Sequence, residues 1–261
     1  MNNGKKQKTC LIFCKCTAGI ISKDRIEALE KAFKSMQIDV CELQDLCACS
    51  LTEKKFLKKI SKSYENKLVV ACYPRAVENL FKQNNIEFEN YEVLNFREMP
   101  VEQIIETIKS KTECYSANAA YTIKKSQLKV PAWFPVIDKS RCTLCGQCSR
   151  FCLFGVYEFN KKSLNVVNPL ACKNNCPACG RTCPASAIIF PRLPENSVLS
   201  GAKPGEEKSV QKPAENGGLF VLLNERNNSR KNIFRQGLMM QAEDERKKAL
   251  EELKQGLIKK Q

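Results

Sequence analysis

Eight of the chain's 16 cysteines fall within residues 136–192, in two runs whose spacing leaves few options for that segment. The first run is Cys142-x2-Cys145-x2-Cys148-x3-Cys152, and the second is Cys172-x3-Cys176-x2-Cys179-x3-Cys183-Pro184. Three thiols a few residues apart on a tight loop offer one face of a tetrahedral ligand set, and a more distant fourth closes it. The chain has no histidine. That excludes a Ser-His-Asp or Cys-His catalytic set, imidazole-ligated zinc or haem, and a Rieske centre. Such a density of cysteine without an export signal fits metal binding or redox chemistry better than a disulfide framework. The runs read as all-thiolate sites for iron–sulfur cubanes. Zinc is the alternative, although zinc sites usually join two Cys-x2-Cys knuckles, not triplets with a fourth cysteine three residues on.

From about residue 134 to 192 the chain resembles the bacterial two-cluster ferredoxins. The likeness includes Val136-Ile137-Asp138 before the first run and Cys183-Pro184-Ala185-Ser186-Ala187-Ile188 at the end of the second. In that family the fourth cysteine of each run ligates the other cluster. The resemblance therefore implies an α+β ferredoxin-like domain with two 4Fe–4S clusters. One would be held by Cys142, Cys145, Cys148 and Cys183, the other by Cys172, Cys176, Cys179 and Cys152. Such crossing ties the halves together, so losing the clusters should unfold the module. Gly146 and Gly180 are expected to let backbone amides approach the cluster sulfurs. The chain departs from the family at Leu153, where proline is usual, and in the three-residue first gap of the second run.

Residues 9–112 alternate between apolar runs and helical stripes. Strands are expected at Cys10–Cys14, Ile38–Leu43, Lys67–Tyr73 and Tyr91–Phe96. Helices are expected from Ser22 as N-cap through Ile26, Leu29, Ala32 and Phe33, then over Leu51–Tyr64 capped by Ser50 or Thr52, over Arg75–Gln83, and over Val101–Lys109. Successive β-α units predict a small parallel sheet flanked by helices, a three-layer α/β domain. Cys14 and Cys16 end the first strand, Cys47 and Cys49 follow the second, and Cys72 ends the third, the edge where parallel α/β folds bind cofactors.

These segments resemble the amino-terminal iron–sulfur domain found in the flavin-bearing component of heterodisulfide reductase (HdrA) over about residues 10–100. The likeness rests on Phe13-Cys14-Lys15-Cys16, Cys49-Ser50, Val69-Val70-Ala71-Cys72-Tyr73-Pro74-Arg75 and Leu94-Asn95-Phe96-Arg97-Glu98. It implies a third iron–sulfur cluster on Cys14, Cys16, Cys49 and Cys72, with Cys47 as the substitute for Cys49. Arg75 and Arg97 near the same edge read equally as charges balancing such a cluster or as partners in surface salt bridges. The family's cysteine after the Arg-Glu pair is missing, Met99 and Pro100 standing there instead. A thiol–disulfide pair or inert structural thiols are the other readings of this set. Cys10 and Cys41 read as buried core thiols and Cys114 as incidental. No flavin or nucleotide motif of the Gly-x-Gly-x-x-Gly or Gly-x4-Gly-Lys type occurs.

The remaining chain reads as a connector over 113–133, a disordered linker over 193–218, and a tail over 219–261. Leu219–Leu223 is a short apolar segment in that tail, followed by a helix with Leu250, Leu253 and Leu257 on one stripe. With 43 Lys+Arg against 28 Asp+Glu the chain is strongly basic, which favours an acidic redox partner at the contact. The lysines are scattered and not interleaved with stacking aromatics, so nucleic acid is not the expected ligand. No apolar run is long enough to span a membrane. Together these features predict a cytoplasmic electron-transfer protein or oxidoreductase subunit with no stand-alone catalytic site, able to join a hetero-oligomer through its carboxy-terminal helix. The alternative is a redox-sensing or assembly protein that uses its clusters structurally.

Overall fold

The structure, a computed structural model, describes residues 8–112, 119–202 and 237–256, and falls into two compact units that divide between Trp133 and Phe134. In the first unit, strands β1 (Thr9–Cys14), β2 (Asp39–Leu43), β3 (Asn66–Ala71), β4 (Tyr91–Asn95) and β5 (Tyr121–Lys124) form one sheet. Its order is β4-β3-β1-β2-β5 and every pairing is parallel. Parallel neighbours need long crossovers, mostly helical. These contain α1 (Lys23–Ser35), α2 (Leu46–Thr52), α3 (Lys54–Ser63), α4 (Pro74–Gln83) and α5 (Val101–Lys111). The class is α/β. Leu11-Ile12-Phe13 and Val69-Val70-Ala71 are fully buried, the unbroken apolar pattern of central strands covered on both faces. The register sets Ile12 between Cys41 and Val69. Phe13 meets Phe33 of α1 edge to face, ring centroids 5.0 Å apart.

Three elements differ from expectation. The helix anticipated over Leu51–Tyr64 is two helices, because Asp45 caps α2 five residues earlier, its carboxylate accepting from the Ala48 amide at 3.1 Å. The chain then turns at Glu53, which leads into α3. Ser50 and Thr52, expected as caps, lie inside α2, and their hydroxyls bond back to the Cys47 and Ala48 carbonyls at 2.7 and 3.2 Å. Second, the supposed connector over 113–133 contributes β5, which extends the sheet beside β2 and places residues up to Trp133 in the first unit. Ser22 does cap α1, accepting from the Arg25 amide at 3.4 Å.

The second unit holds two antiparallel strand pairs. β6 (Val136–Ile137) pairs with β9 (Ile188–Ile189), and β7 (Tyr157–Phe159) with β8 (Leu164–Val166). Short helices α6 (Gln147–Phe151) and α7 (Ala178–Arg181) and the longer α8 (Leu238–Lys254) complete it. Here lies the third difference: the first residues of the expected disordered linker are ordered. Leu199 and Ala202 are buried, and the Phe190 amide donates to the Leu199 carbonyl at 3.1 Å. Helix α8 packs through Ala242 and Ala249, while Leu250 and Leu253 are exposed. Leu257, Cys114, Leu219–Leu223 and the linker from residue 203 lie outside the described residues. Among the described residues, no helix is long and apolar enough to cross a membrane.

Phe33→Ala, which empties the space against Phe13, should cost about 3–5 kcal/mol. Ile123→Ala, on the exposed edge strand β5, should stay within about 0.5 kcal/mol. Urea unfolding of the two variants checks the contrast.

Candidate metal centre

The β6–β9 pairing brings the two ends of the second unit's cysteine region together. Beyond the paired residues the Asp138 amide donates to the Ala187 carbonyl at 2.8 Å. Asp138 then turns the chain, its carboxylate accepting from the Ser140 amide at 3.0 Å and hydroxyl at 2.6 Å. Cys142 follows that turn, and Cys183 lies four residues before Ala187 on the facing segment. Leu144 and Gly146 both adopt left-handed backbone, with φ of 54° and 69°, which curls the loop around Cys145 and starts α6 with Cys148 in its first turn. Cys142, Cys145, Cys148 and Cys183 line one small cavity with Gly146, Leu164, Ala187 and Ile188. The Cys183 sulfur accepts from the Ala187 amide at 3.2 Å.

Cys152 leaves the end of α6, away from that cavity. The β7–β8 hairpin folds the chain back so that the Val167 amide donates to the Val156 carbonyl at 3.0 Å, and a 3-10 turn over Pro169–Ala171 delivers Cys172. Asn175, left-handed at φ 59°, precedes Cys176 as Leu144 precedes Cys145, so the longer first gap of this run keeps the same local bend. Cys179 sits in α7. Cys152, Cys172, Cys176 and Cys179 line a second small cavity with Leu153, Tyr157, Arg246 and Ala249 among its walls. The buried Tyr157 hydroxyl donates to the Cys179 sulfur at 3.0 Å. Among the described residues, no three Cys, Asp or Glu side chains converge on a single-ion position.

The electrostatics follow the same grouping. Burial pushes the Cys148 thiol up to about 12, aided by Cys183, Cys145 and Cys142. Burial, then Cys176 and Cys152, raise Cys172, and burial followed by Cys172 raises Cys179 well above the usual thiol range. Backbone amides work the other way, with Ala187 and Ala185 opposing the burial of Cys183 and Ala178 that of Cys176. Burial disfavours the thiolates of Cys148, Cys172, Cys179 and Cys183 until positive charge sits beside them. All-sulfur donors in two groups of four, with amides turned toward them, fit an iron–sulfur core, which supplies one-electron redox chemistry when bound.

In the first unit, β1 is flanked by β2 on one side and β3 on the other, so the sheet's switch point lies at the carboxyl ends of β1 and β3. Cys14 ends β1, and Cys72 follows β3. Cys16, two residues past β1, holds a strained left-handed φ of 45° and hydrogen-bonds with Cys14. That bond, then burial, raises the Cys14 thiol well above its usual range, while its sulfur accepts from the Leu46 amide at 3.4 Å. Burial lifts Cys72 to about 12, with Cys16 adding and Arg97 opposing. Cys14, Cys16 and Cys72 thus gather around the amino-terminal start of α2. Cys49 lies within α2, lifted to about 11 by burial, and interacts with Cys41. Cys47, half-buried, is two residues away on the same helix, roughly 200° round its axis. Cys10 and Cys41 are both buried in the sheet. Sequence reasoning passed over Asp45, which sits at this edge and accepts from Ala132 at 2.9 Å as well as capping α2. It also passed over Tyr157, Arg246 and Ala249, none of which belongs to a motif.

No protein-family model matches this chain, and no solved structure matches it. Over 61 residues it is 43% identical to an uncharacterized ferredoxin of Methanocaldococcus jannaschii, an alignment covering 23% of this chain and 42% of that relative. The chain thus spans less than half the length of the relative it matches.

A Cβ at Gly146 would lie 2.3 Å from the Phe159 ring, on backbone that already has positive φ. Gly146→Ala should therefore destabilise the second unit by about 1–3 kcal/mol, and Phe159→Leu in the same chain should recover part of the loss. Thermal unfolding of the three chains measures both effects.

Proposed function

We propose that the chain is an iron–sulfur electron carrier whose second unit binds two 4Fe–4S clusters. One is held by Cys142, Cys145, Cys148 and Cys183, the other by Cys152, Cys172, Cys176 and Cys179. The observation carrying this reading is that eight thiols, drawn crosswise from two runs, line two separate cavities. The likeness to a protein named as a ferredoxin supports it. With no histidine in the sequence, the thiolates do the binding and the surrounding amides and the Tyr157 hydroxyl tune the cores. A single cubane passes one electron at a time, so two suit a relay and not substrate chemistry. The basic balance of the chain favours an acidic redox partner, and a cytoplasmic oxidoreductase complex is the setting that fits both features.

The first unit, on this proposal, resembles the amino-terminal domain of HdrA and takes a third cluster at the switch point. Cys14, Cys16 and Cys72 supply three ligands, and α2 supplies the fourth, Cys49 or its substitute Cys47. The strained backbone of Cys16 and the proximity of Arg97 to Cys72 favour a bound anionic cluster there.

Iron and acid-labile sulfide are the measurements that decide. Chain purified without oxygen should hold about eight irons if only the second unit is loaded and about twelve if the first unit is too. Cys72→Ser should then remove about four; no loss excludes it as a ligand. Colourless protein, or zinc in place of iron, overturns the electron-carrier reading.

A further inference from the structure

Helix α8 forms part of the second cavity's wall. Ala249 and Arg246 line that cavity beside Cys152, Cys172, Cys176 and Cys179. Ala242 and Ala249 stand seven residues apart on one face and are fully buried, so the helix backbone lies close against the unit. Polar clamps hold it there. Arg181, in the sequence between Cys179 and Cys183, grips Glu245 through two nitrogens at 2.9–3.1 Å. Lys173, the neighbour of Cys172, pairs with Glu252 at 2.9 Å. The Arg246 guanidinium stands 5.1 Å from the ring of Phe151, the neighbour of Cys152. Every clamp therefore lands on a residue close in sequence to a cysteine of the second set. The first set differs: Thr143, Leu144 and Cys145 of its loop are exposed.

From this asymmetry we infer that α8 is a built-in cover for the second metal centre alone, keeping water and oxidants from Cys152, Cys172, Cys176 and Cys179 and leaving the Leu144–Cys145 loop as the face for electron exchange. The metal part of this inference rests on the cluster reading; the cover itself does not. A bidentate Arg–carboxylate pair, half-buried, orients two groups more firmly than a mobile surface pair does. A helix held by two alanines and a few ion pairs also has little free energy against local opening, so it can be released without unfolding the unit.

The test uses the full chain with Glu245→Arg, which sets like charges against Arg181, and the charge-swapped chain carrying Arg181→Glu with Glu245→Arg. In reduced, metal-free protein, iodoacetamide labelling is followed cysteine by cysteine by mass spectrometry. Glu245→Arg should label Cys152 and Cys176 several-fold faster with Cys142 and Cys145 unchanged, and the swap should restore the original rates. In iron-loaded protein exposed to air, the same variant should lose about four irons several-fold faster, and the swap should again restore them. Where the metal-free chain protects Cys152 and Cys176 relative to Cys142 and Cys145, unchanged rates at Cys152 and Cys176, or equal acceleration at both sets, overturn the cover. If the metal-free chain labels all eight cysteines alike before any substitution, the iron-loss comparison decides. Selective protection of Cys152 and Cys176 in a chain that never takes up iron removes the cluster reading and leaves the cover standing. Uniform labelling together with no iron removes both.

Discussion

The antiparallel contact of Val136-Ile137 with Ile188-Ile189 is the interaction on which the second unit depends. It is only two residues long, far too short to be stable alone. Its strength comes from burial of all four side chains and from the Asp138–Ala187 bond that continues the ladder. Without it Cys183 would stay with its own run. With it, Cys183 crosses to the loop of Cys142, Cys145 and Cys148, and the β7–β8 hairpin carries Cys152 to the other set. Two small sheets thus decide how eight thiols are shared between two cavities.

That sharing has an energetic consequence. Each cavity holds sulfurs whose burial opposes ionisation, so their thiolate forms are costly until positive charge enters. Metal binding and folding of this unit are then linked: the core gains stability from whatever neutralises it. The first unit is built on the opposite plan. Its sheet is buried by ordinary apolar packing of Phe13, Phe33, Val69 and Val70, and its thiols at the switch point are additions to a core that closes without them.

Much of this was legible in the sequence, and the misses have physical reasons. The unbroken apolar strands and the Ser22 cap announced the parallel sheet. Strand β5 escaped because Tyr121-Thr-Ile-Lys124 lies at the sheet edge with Ile123 half exposed, so it shows neither alternation nor a buried run. Helix α2 escaped because Cys47 and Cys49 read as residues following the second strand, although Asp45 three residues before Ala48 was a readable cap. The leucine stripe of α8 was visible, yet the helix seats itself on Ala242 and Ala249, whose small size gives little signal in a hydrophobic pattern. The cysteine runs could be read from spacing; the Tyr157 bond to Cys179 and the placement of Arg246 follow only from tertiary structure.

The central claim is that the crossed thiols of the second unit hold iron in mixed-valence cubes. The ⁵⁷Fe Mössbauer spectrum of chain purified without oxygen tests it most directly. Valence-delocalised iron that takes up one electron per cube on reduction is the predicted result. Isolated ferrous iron in a tetrathiolate site would contradict the account.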